Sequence, residues 1–168
     1  MNLDDIQSGS FCVADTNVLL YAEQGMSKQC QRFLRRSATG ELIIQLPQTI
    51  WHELCHKLML AEAMMTGKGT GPGPASKLAR RPDIIKGLGL YREKLRSLVQ
   101  LGLGFEPCTR EDLFETAFNY QKKYGLLTND SLILAAAVRL KADALVTAAE
   151  TFRDVKEILV AMPTDLMH

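Results

Sequence analysis

No CxxC pair occurs in this 168-residue chain, and its four cysteines, Cys12, Cys30, Cys55 and Cys108, are scattered. That excludes the ligand spacing of a structural zinc site and points to reduced, buried thiols rather than a disulfide framework. Charge of either sign is in little excess, since 20 Lys and Arg against 19 Asp and Glu leave a formal net charge of +1. A nucleic-acid partner must then be held by a local basic face or by metal ions, not by the chain as a whole. No apolar run approaches the length of a bilayer, and Met1 to Asp5 is acidic where a secretory signal would be basic. The expected location is cytoplasmic, with no membrane partner. Internal repeats and tracts of low hydrophobicity and high charge are also missing, and no GxxxxGK[ST] run exists to cradle a phosphate.

What remains is the composition of an ordinary globular protein, 46% hydrophobic and 23% charged. Residues 1–168 are long enough to bury a substantial core and are read as one domain. Its organising stretch is Phe11 to Tyr21, where a short apolar run breaks at Asp15-Thr16-Asn17 and resumes at once as Val18, Leu19 and Leu20. This predicts a buried strand that delivers Asp15 to its carboxyl end, followed directly by a helix. In parallel α/β sheets that edge is where ligands bind. The alternative for Asp15-Thr16-Asn17 is a simple helix cap.

Further along, Ser27 to Ala38 reads as an amphipathic helix and Glu41 to Leu46 as a second strand, closed by Pro47. A helix over about Gln48 to Met65 places Ile50, Trp51, Leu54, Cys55, Leu58 and Met59 on one side and Glu53 in its second turn. A flexible Gly/Pro-rich loop is expected at about 66–76. Lys77 to Gln100 reads as helical, broken near Pro82, with a run of basic residues that is either a solvated face or a track for a phosphate backbone. Leu103 to Cys108 is a candidate third strand. Thr109 to Asp112 has the form of a capping box for a helix stopping at Gly125. Leu127 to Ser131 leads into the densely apolar Leu132 to Val138, a buried helix with Asp130 in its first turn, where the helix dipole favours an anion. Ala144 to Thr147 and Ile158 to Met162 read as strands. Strands alternating with helices predict a parallel sheet covered on both faces, a three-layer α/β/α sandwich of roughly five strands.

Asp15, Glu53 and Asp130 can converge at one edge of such a sheet. Carboxylates brought close together either take up protons or bind cations, and a set of oxygen ligands suits Mg²⁺ or Mn²⁺. Such a site orients a phosphodiester and activates water.

Phe11 to Asn17, Glu53 after the second strand, Asn129 to Ala137, and Ala144 to Thr147 followed by Phe152 together resemble the successive motifs of PIN-domain ribonucleases, from Phe11 to Pro163. The resemblance implies a five-stranded parallel sandwich, Mg²⁺- or Mn²⁺-dependent cleavage of RNA, and the VapC-type toxin of a type II toxin–antitoxin pair. A small antitoxin protein is the implied partner, and a homodimer is left open by the sequence. Asp15, Glu53 and Asp130 match the first three acidic positions, with Asn17 and Thr16 in support. Where the family has Thr-x-Asp-x-Asp-Phe, this chain has Thr147-Ala148-Ala149-Glu150-Thr151-Phe152. Both aspartates are missing, which leaves Glu150, or Asp154, as the substitute fourth ligand. Two rival readings stand beside this one. His52-Glu53-Leu54-Cys55-His56 is a literal HExxH, the signature of a zinc metalloprotease, with Glu62 offered as a third ligand. Its structural counterpart is an ion pair of Glu53 with Lys57 at i, i+4. The changes at Ala149 and Thr151 motivate the other rival, a catalytically impaired PIN-like module that binds RNA or protein.

Overall fold

The computed structural model of the chain describes residues 1–67 and 74–166. Five strands, β1 (Phe11–Ala14), β2 (Ile43–Pro47), β3 (Gly104–Glu106), β4 (Ala144–Val146) and β5 (Val160–Ala161), form one sheet in the order β3-β2-β1-β4-β5. Every pairing is parallel, with Val13 opposite Gln45 on one side and Leu145 on the other. Successive residues of a strand point to opposite faces of a sheet. Cys12, Val13 and Ala14 are nonetheless all buried in a row, as are Ala144, Leu145 and Val146. Both faces are therefore covered, as a helix–sheet–helix sandwich requires.

Eight α-helices supply that cover among the described residues: α1 (Thr16–Glu23), α2 (Lys28–Ala38), α3 (Gln48–Met65), α4 (Pro74–Ala79), α5 (Pro82–Gly87), α6 (Leu90–Gln100), α7 (Ala117–Tyr124) and α8 (Thr128–Arg139). Ser27 caps α2 by accepting the Cys30 N–H, and Ile50, Leu54 and Leu58 lay a buried stripe along α3. In α8 the seven residues Ser131 to Ala137 are all buried, so a helix apolar on every side sits inside the molecule, packed on β1, β4, α3 and α7. None of these helices is long and apolar enough to cross a membrane.

Several boundaries differ from the sequence expectation. The loop expected at 66–76 is shorter: the Thr66 hydroxyl closes α3 on the Glu62 and Ala63 carbonyls, and Pro74, suited to a first helical position, begins α4. Residues 68–73 of that loop lie outside the described residues. The helical stretch to Gln100 breaks twice, at Pro82 and again before Gly89, where no side chain of α6 itself caps the new helix. Both terminal strands are shorter than expected; Pro107, which has no N–H, follows β3. The capping box at Thr109 forms, with the Asp112 N–H on the Thr109 hydroxyl and the Thr109 N–H on the Asp112 carboxylate. Gly125 ends α7 at φ 69°, the left-handed conformation that only glycine adopts cheaply. A short turn over Leu3–Asp5, capped by Asn2, has no counterpart in the expectations.

Candidate active site at the switch point of the sheet

The chain runs from β1 outward through β2 to β3, then returns to place β4 on the other flank of β1. Strand order thus reverses between β1 and β4, and the crevice beyond their carboxyl ends is the natural ligand site of an open α/β sheet. Asp15 follows β1 and Thr147 follows β4. Across this crevice the Thr147 hydroxyl donates to Asp15 Oδ2 at 2.8 Å while accepting the Ala149 N–H at 3.0 Å. Asp15 Oδ1 accepts the Thr16 N–H at 2.6 Å, so the aspartate also caps α1. The cap reading and the site reading of Asp15 are therefore both true of one side chain. Its residue is only 5% exposed, so both oxygens depend on these donors.

Glu53 and Asp130 lie within electrostatic range of Asp15. Burial pushes the Asp15 carboxyl above its ordinary range, the hydrogen bonds from Thr147 and Thr16 pull it back, and the negative charges of Asp130 and Glu53 push it up further. Asp130 is likewise raised, by burial first and by Glu53, against a hydrogen bond from Thr151. The three acids share one electrostatic neighbourhood. Each also carries a threonine hydroxyl, since Thr16 donates to Glu53 Oε2 at 3.1 Å and Thr151 to Asp130 Oδ2 at 3.3 Å. The sequence carries no local sign that Thr147 and Thr151 partner the acids, because 132 and 21 residues separate the pairs. Their one signal was membership of the fourth motif.

The remaining candidates fall elsewhere. Asn17 is half-buried in the first turn of α1, with no side-chain partner among the described residues. Glu150 is not brought to the acids: it lies exposed in the turn Glu150–Phe152, paired with Arg153 at 2.5 Å. Asp154 is exposed. The fourth acidic position is instead held by the Thr151 hydroxyl.

The zinc arrangement does not form. His52 and His56 are exposed, and Glu53 binds Lys57 at 2.7 Å, the i, i+4 pair. Glu62 accepts the N–H groups of Gly89, Leu90 and Tyr91 at 2.9, 3.1 and 2.8 Å, so it caps α6 from α3. Among the described residues no three His, Cys, Asp or Glu side chains are grouped to hold a metal. What the site offers is an oxygen-only donor set centred on Asp15 and Asp130. That fits a hard divalent ion of the Mg²⁺ type, which keeps several waters and takes only one or two carboxylates from the protein. The basic run is partly consumed: Arg81 pairs with Asp83, and Lys94 with Glu23.

Comparison with solved structures places the same architecture in toxin–antitoxin assemblies. The crystal structure of VapBC2 from Rickettsia felis bound to a DNA fragment from their promoter matches with a TM-score of 0.59 at 17% identity, over 90% of this chain and 98% of that one. A toxin–antitoxin complex from Klebsiella pneumoniae gives 0.58 at 15% identity, over 88% and 95%. VapBC-1 from nontypeable Haemophilus influenzae gives 0.55 at 15%, over 90% and 97%. No curated protein matches the sequence significantly. Identities this low carry the fold alone, but the PIN domain model matches residues 12–158, from within β1 past the three acids and β4 to just short of β5. The chain belongs to the PIN domain family.

Proposed function

We propose that this protein is a divalent-metal-dependent ribonuclease, the toxin of a type II toxin–antitoxin pair, cleaving phosphodiester bonds in RNA. One observation carries the reading: a buried aspartate at the switch point of the sheet, its charge opposed by two further acids and its oxygens fixed by Thr16 and Thr147. Desolvated carboxylates facing one another hold a cation far more readily than they hold their own charges apart. Asp15 and Asp130 would hold Mg²⁺ or Mn²⁺, with Glu53 beside them. The ion, when bound, supplies a polarised phosphate oxygen and a water of lowered pKa. The chain's own part is positional. Thr147 and Thr16 keep both Asp15 oxygens in place, and Thr151 orients Asp130, so the acids are arranged before substrate arrives. The fold shared with toxin–antitoxin structures supports an antitoxin as partner, and the near-neutral net charge makes the cleft, not the whole surface, the attraction for RNA.

A second reading, a PIN module that binds RNA or protein without cleaving it, is favoured by Ala149 and Thr151 at the two positions where the family motif has aspartates and by Glu150 facing Arg153. Labelled RNA incubated with the purified protein and Mg²⁺ or Mn²⁺ separates the two. Cleavage that EDTA stops, that Asp15→Asn abolishes and that His56→Ala leaves intact supports the nuclease. Intact RNA under both metals, at protein concentrations where the RNA is bound, supports the binding module.

A further inference from the structure

Glu53 is the acid of this cleft with both oxygens already engaged by side chains. Oε2 accepts the Thr16 hydroxyl at 3.1 Å, and Oε1 pairs with the Lys57 ammonium at 2.7 Å, one helical turn further along α3. Lys57 is not a stray surface cation. Its side chain is 41% exposed and borders a neighbouring cavity of about 520 Å³ lined also by Leu20, Glu62 and Tyr91, while its charge is directed at Glu53. Sites that load two divalent ions bring the metals within about 4 Å of each other, and this demands a dense set of carboxylates. Here the fourth acidic position is Thr151, which offers Asp130 a hydroxyl and no charge. Three carboxylates less one ammonium leave two negative charges, the charge that a single divalent ion neutralises.

We propose that Lys57 fixes the metal stoichiometry of the cleft at one divalent ion per chain, by holding Glu53 in an ion pair that a second ion would have to break. Lys57 is thus a positioning residue. It takes the place of a second cation beside Glu53 and leaves Asp15 and Asp130 to the ion that binds. The inference rests on the metal-dependent reading of the cleft given above and deepens it. A lysine is suited to the task because its ammonium is a compact point charge on a flexible stem, able to follow one carboxylate oxygen.

Mn²⁺ binding to the intact chain, followed by calorimetry and by the electron paramagnetic resonance signal of the free ion, tests this without any substrate. The wild-type chain is expected to bind one Mn²⁺. Lys57→Met, which keeps an unbranched chain one atom shorter and removes the charge, is expected to bind two, and Lys57→Arg to bind one like the wild type. Circular dichroism on each variant verifies the fold, which a substitution at this partly exposed position leaves intact. One ion in both the wild type and Lys57→Met, or two in the wild type, overturns the role of Lys57 while the metal-dependent reading stands. No Mn²⁺ bound by the wild type overturns both.

Discussion

Replacing Asp15 by asparagine or by alanine separates its two duties, because the variants remove different things. Alanine deletes the cap on the Thr16 N–H, a loss of about 1 kcal/mol. It also leaves the buried Thr147 hydroxyl without its acceptor, for about 1–3 kcal/mol more. The sum is a destabilisation of about 2–4 kcal/mol, or roughly 5–15 °C in Tm for a chain of this size. Asparagine keeps an oxygen for the Thr16 N–H, turns an NH₂ group instead of an acceptor toward the Thr147 hydroxyl, and removes a charge that burial, Asp130 and Glu53 all oppose. Its Tm in metal-free buffer is therefore expected above that of the alanine variant, because it keeps the cap and a polar partner for Thr147.

The pH dependence has a definite sign. Because the folded carboxyl is raised above its ordinary 3.8, the stability linked to its proton is fully present below that value and is lost as pH rises through the folded value. Asp15→Asn abolishes this loss. Mg²⁺ favours the wild type, since an ion bound only by the folded state adds about 2.7 kcal/mol at a hundredfold excess over its Kd, and Asp15→Asn forfeits most of that. Differential scanning fluorimetry of the three proteins, with and without Mg²⁺, reads all of these quantities. Equal losses of Tm for Asn and Ala in metal-free buffer would refute the claim that charge repulsion is stored at Asp15.

Glu62→Ala strips three N–H groups of α6 of their acceptor and is expected to cost about 1–2 kcal/mol in urea denaturation. It should leave metal affinity unchanged, whereas a zinc ligand would not. Glu157 is pushed up by desolvation but pulled down further by Lys123 at 2.5 Å and the Tyr124 hydroxyl at 2.6 Å, which bring it to about 2. Its contribution is present above the ordinary 4.5 and disappears as pH falls through about 2, so acid unfolding followed by circular dichroism should be shallower for Glu157→Gln over that interval.

Much of this was legible in the sequence because the relevant signals are local. The run Phe11 to Ala14 is apolar at every position, as only a strand covered on both faces needs to be, and Leu132 to Val138 is apolar as only an interior helix needs to be. Asp15 stands out because it follows β1 at once, and Asp130 because it opens the helix that carries the apolar run. Thr147 and Thr151 do not, since a hydroxyl that reaches an acid far along the chain has no periodicity to betray it. Glu150 misled for a related reason. Adjacency in the chain put it beside two absent aspartates, but the turn carrying it points the carboxylate at Arg153. The HExxH run has true helical spacing, yet spacing says nothing of what faces the helix. Glu62 met three free N–H groups of α6, and a stronger local use took it. Sequence also gave Lys77 to Gln100 too few breaks, because Gly87 and Gly89 are weaker signals than Pro82.

The pairing of every acid with its own threonine sets this cleft apart from proteins whose shape depends on the ion they carry. The hydroxyls already satisfy the carboxylates, so an empty chain has no reason to unravel. If the proposed metal-dependent cleavage holds, chelation is expected to stop it reversibly, leaving an intact fold that takes up Mg²⁺ again.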